Sequence, residues 1–146
     1  MPPEAQIIVF GLVSLLFFMV SLFADDEDWL ASVGCTGALV AYWALNTILW
    51  MIRIVEDWSL ASDLFFAASS CLLILFVRRA WIVVLFGWFL ANLALDGLHL
   101  AGLIGYEAWA EAGNITFVGQ LGTASFPGLV RITRNLTGRA ASSSMG

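Results

Sequence analysis

The chain has 146 residues, of which 61% are hydrophobic and 12% charged; its formal net charge is −5 and all six cations are arginines. Soluble domains average about 45–50% apolar and about 25% charged residues. A water-soluble globule of this length could not hide so much apolar surface, whereas a bilayer takes it up. Seven tryptophans and eleven phenylalanines fit the same conclusion, because indole rings favour the membrane–water boundary. The composition therefore predicts an all-α integral membrane protein, a four-span transmembrane helix bundle over residues 1–104.

The first span is predicted over 5–24, an uncharged stretch long enough to cross a hydrocarbon core of about 30 Å. The opening MPPEAQ lacks the basic segment of a secretory leader, so a retained span is expected, beginning after the proline pair. The acidic turn ADDEDW follows, with Asp28 as the predicted N-cap of the next helix. The second span is predicted over 29–52. Its Gly34 and Gly37 form a small patch where another helix can come close. The third span is predicted over 58–77, with Asp63 in its first turn, and the fourth over 80–104. Only Arg78 and Arg79 separate them, so these two spans must be antiparallel neighbours. Cys35 and Cys71 sit in apolar segments without metal-ligand spacing and are expected to be small core residues.

Residues 105–130 are expected to form an interfacial helix ended by Gly113, then a marginal membrane segment, either a fifth span or a re-entrant piece. Residues 131–146 form a basic, Ser-rich tail. Orientation depends on that marginal segment, because arginines mark the cytoplasmic side. Four spans with the amino end inside put four arginines in and two out. Five spans with the amino end outside leave only Arg53 out. The four-span arrangement is the working expectation. Both arrangements put the tail in the cytoplasm of a cell membrane, or in the interior of a virion membrane.

The residues able to do chemistry are few. Asn92, Asp96 and His99, spaced by four and three, share one helical face. Alternating spans bring Arg53, Asp63, Asp96 and His99 toward one membrane face. Ionisable groups within a bilayer turn inward and pair. Arg53, Asp63, Asn92, Asp96 and His99 are therefore expected to form a polar clasp, with an ion or proton site at Asp96 and His99 as the sharper alternative. The lone histidine argues against bis-histidine haem. Phosphate loops, nucleophile elbows and metal-ligand triads are absent from the sequence, so no cofactor, metal or enzymatic activity is expected. Arg131, Arg134 and Arg139 are expected to touch lipid phosphates, and nucleic acid only weakly.

These features predict a structural or accessory role in a larger membrane assembly, a virion membrane or a multisubunit complex. Its expected partners are membrane lipids and other membrane subunits or copies of itself. A holin-like pore former and an ion- or proton-coupled channel or transporter are the alternatives.

Overall fold

A computed structural model describes residues 3–52 and 59–144. Among them are five helices and no strand: α1 (Pro3–Ser21), α2 (Asp26–Met51), α3 (Ser59–Val77), α4 (Ala80–Leu100) and α5 (Tyr106–Ser144). The first four are long and apolar enough to cross a membrane. Only 11–28% of the residues in each of these spans are buried, and exposed Leu, Ile, Val and Phe side chains run along them. In water such a surface would aggregate; in lipid it is a solvated exterior.

The helix boundaries refine the expected ones. Helix α1 includes Pro3, since proline is tolerated in the first helical turn. Helix α2 starts at Asp26, so Asp28 lies inside the first turn and is not its N-cap. Three acids in that turn suit the positive end of the helix dipole. Helix α4 stops at Leu100, short of 104. There the Gly102 N–H donates to the carbonyl of His99 and the Leu103 N–H to that of Leu98. Gly102 adopts φ +72°. This is the Schellman arrangement, in which a left-handed residue satisfies the last carbonyls of a helix.

The chain packs as two units, residues 1–48 with 124–146 and residues 49–123. In the first unit α1 and α2 are antiparallel. A Cβ on Gly11 would lie 3.0 Å from the Trp43 ring, and one on Gly37 would lie 3.4 Å from Phe18. Gly37 of the predicted small patch thus receives α1, while the other member, Gly34, faces open space. Ser32 Oγ donates to the carbonyl of Ala124 in α5 at 2.5 Å. Gly128 meets the backbone of α1 so closely that a Cβ would collide with the Val20 carbonyl.

In the second unit α3 and α4 form the predicted antiparallel pair. The rings of Phe66 and Phe89 stack at 5.3 Å. Their two-residue connection is so tight that Arg78 takes a left-handed backbone, φ +51°.

Helix α5 differs most from expectation. Gly113 does not end it, and the helix continues through the Ser-rich stretch to Ser144. Cys71 also departs from expectation, since it lies on the surface of α3 while Cys35 is half-buried; both thiols are free. Lipid is as apolar as a core, so composition cannot tell a lipid-facing cysteine from a buried one.

Candidate functional site

In the second unit a row of polar residues on α4 bonds to α3 on one hand and to α5 on the other. Helix α4 buries Trp81, Ile82, Leu85, Phe89 and Asp96. Asn92 and Trp88 lie on that same side, four and eight residues before Asp96. Helix α5 meets them with Trp109, Thr116, Gly119 and Thr123. The pairings run antiparallel: Trp109 with Asp96, Thr116 with Asn92, and Thr123 with Trp88. The indole of Trp88 packs against Gly119, where a Cβ would come within 2.6 Å of it. Its Nε1–H reaches Thr123 Oγ1 at 3.1 Å.

Two carboxyls sit in this seam. Asp63 is 4% exposed and Asp96 is 5% exposed. Asn92, one turn before Asp96 on the same side of α4, holds Asp63, so the two carboxyls occupy one stretch of the seam. Each accepts an N–H from a different residue. Trp109 Nε1 donates to Asp96 Oδ1 at 2.8 Å, and Asn92 Nδ2 donates to Asp63 Oδ1 at a long 3.4 Å. Asn92 uses its other end as well, accepting from the Thr116 hydroxyl. That hydroxyl also lies 2.9 Å from the Gly113 carbonyl, and its single proton serves one acceptor at a time. Asp96 Oδ2 is buried without a hydrogen-bond partner among the described residues.

His99 takes a separate position. It is half-buried, and its Nδ1 lies 3.2 Å from the carbonyl of Ile104. A carbonyl only accepts, so Nδ1 carries a proton there. The imidazole stacks on Trp109 at 4.9 Å and 17°, with the Tyr106 ring 6.4 Å away. Asp63, Asn92 and Asp96 thus share one seam, and His99 meets it through the Trp109 ring. Arg53 lies outside the described residues.

Trp109 and Thr116 were missed by the sequence reading, which broke 105–130 at Gly113. Read as one helix, Trp109, Thr116, Gln120 and Thr123 are spaced by seven, four and three and share one face. That stripe was the available signal.

The tail arginines lie in the first unit. Arg131 Nε is 3.4 Å and Arg134 Nη2 is 2.5 Å from the Asp25 carboxylate. Arg131 Nη1 also donates to the Ala24 carbonyl at 3.1 Å. Arg139 is exposed. Two of the three tail arginines therefore secure the turn after α1.

Among the described residues no group of three or more His, Cys, Asp or Glu side chains is arranged to hold a metal. Comparisons with protein-family models, curated proteins and solved structures gave no match.

Proposed function

We propose that the protein is a small structural or accessory component of a larger membrane assembly, in which a neighbouring helix covers the outer face of α4. The observation that carries this reading is the composition of that face. Opposite the buried side of α4, Gly87, Ala94 and Gly97 are exposed, and a Cβ on either glycine would meet nothing within 4 Å. Glycine offers lipid no side chain and weakens a helix by about 1 kcal/mol relative to alanine. Small residues are useful on a span where another helix must come close, because lipid supplies no hydrophobic drive for association. The partner is another membrane subunit or a second copy of this chain, and lipid covers the remaining apolar surface.

Helix α5 serves in this reading as a fifth span. It begins where α4 ends, runs antiparallel to it, and continues for 39 residues. At 1.5 Å per residue that is about 58 Å, longer than the roughly 30 Å hydrocarbon core. The orientation is then amino end outside and tail inside, with five arginines inside against Arg53 outside. Arg139, on the exposed end of α5, is free of the Asp25 ion pair and faces the lipid headgroups of a cell or virion membrane.

Native mass spectrometry after extraction in a mild detergent tests the assembly. A complex is expected, and it should dissociate in Gly87→Leu and Ala94→Leu chains that remain helical. A stable lone monomer would count decisively against this function. Abrupt collapse of the membrane potential on expression would identify a pore former in its place.

A further inference from the structure

We propose that Asp63 and Asp96 together hold one exchangeable proton, making the α3–α4 seam a proton-binding site. The argument is one of donors and acceptors and is independent of the assembly role. One oxygen of each carboxyl already accepts an N–H, from Asn92 on Asp63 and from Trp109 on Asp96. The remaining oxygen of Asp96 is buried without a partner among the described residues. Asp63 shares that stretch of the seam, held by Asn92 one turn from Asp96, and two ionised carboxylates offer each other no donor. A proton between them supplies the missing donor. It also leaves one negative charge spread over the pair, matched by the two N–H groups, where two adjacent charges in apolar surroundings would repel. A metal ion suits the seam less well. Asn92 turns its nitrogen toward Asp63 and commits its oxygen to Thr116, so hydrogen atoms, not lone pairs, point at the carboxyls.

The other titratable or charged groups near the seam are identifiable. On α3 the second one is Cys71, which is exposed. On α4 it is His99, engaged with Ile104 and Trp109. On α5 they are Tyr106, Glu107 and Glu111, all exposed. Arg53, which precedes α3 in sequence, is the rival counter-charge.

The test uses the full chain in liposomes and dicyclohexylcarbodiimide, which reacts with protonated carboxyls in apolar surroundings. The acid O–H adds across the carbodiimide and the adduct rearranges to a stable N-acylurea, so no atom is lost and no oxidant is needed. Peptide mass spectrometry should find one label per chain, on Asp63 or Asp96 but not both, and the label should fade as pH rises. Asp96→Asn gives Asp63 a permanent N–H in place of the proton, and the label should be lost. Should that chain not fold, infrared difference spectra of the wild type remain decisive. A carboxylic C=O band that disappears with rising pH is expected, and its absence overturns the proposal. So does labelling indifferent to pH, or labelling that sodium or calcium chloride suppresses at constant pH. Labelling that appears only in Arg53→Gln overturns it too, since Arg53 would then be the counter-charge.

Discussion

Trp109 joins the two halves of the seam with one side chain: its ring stacks on His99 and its N–H holds Asp96. Trp109→Phe keeps an aromatic face for His99 but removes the N–H that donates to Asp96. The expected loss is about 1 kcal/mol, the scale of a polar contact between membrane helices. Thermal unfolding in detergent should show a lower Tm with unchanged helix content. Gly128 is more sensitive, because its neighbour is backbone. In Gly128→Ala the new methyl meets the Val20 carbonyl, which cannot rotate away. Overpacking of this kind costs about 1–3 kcal/mol; a Tm equal to wild type would show that α5 does not press against α1 there. Asp25→Ala removes the acceptor of both Arg131 and Arg134. These groups are 41–61% exposed, and such pairs contribute only about 0–1 kcal/mol. The expected Tm change is small and should shrink as salt is added.

At the level of elements, the connection of α3 to α4 and the end of α4 both depend on left-handed backbone. Gly102 adopts it without a Cβ penalty, whereas Arg78 carries a full side chain at φ +51°. Arg78→Gly should therefore relieve about 1 kcal/mol of strain, and Gly102→Ala should add a similar amount. Opposite shifts in Tm for the two variants are the measurable outcome. Helix α5 shows why hydropathy alone under-reads a helix with a buried polar face. Thr116, Gln120 and Ser125 are buried together with Phe117, Leu121 and Ala124. A helix whose neighbours are helices can carry polar groups that a lipid-facing one cannot. Pro127 is also accommodated within it, although it cannot donate to the carbonyl of Thr123 four residues earlier.

For the whole molecule, the proposed five-span orientation predicts which side each segment meets. In a Cys35→Ala, Cys71→Ala background, a cysteine replacing Ser142 should react with a membrane-impermeant maleimide only after the cytoplasmic or interior face is opened. One replacing Gln6 should react in the intact membrane. Both on the same side would return the topology to four spans.

The residues alone were enough to establish a membrane bundle with four apolar helices, because charge-free stretches of about 20 residues have few other stable states. The pairing of α3 with α4 was equally legible, since a two-residue connection leaves no other neighbour. The face shared by Asn92 and Asp96 followed from helical spacing. Packing decided the rest. A glycine within a marginally apolar stretch reads as a helix end when its neighbours are unknown. In the fold, Gly113 simply lies within α5, which is held by Trp88, Asn92 and Asp96 on α4. Likewise, one-dimensional spacing linked His99 with Asp96, while three-dimensional contacts turned His99 to Ile104 and Trp109 and joined Asp63 to Asn92, one turn from Asp96. Spacing specifies which side of a helix a residue occupies. Which neighbour it meets there depends on the register of the next helix, and only tertiary contacts set that register.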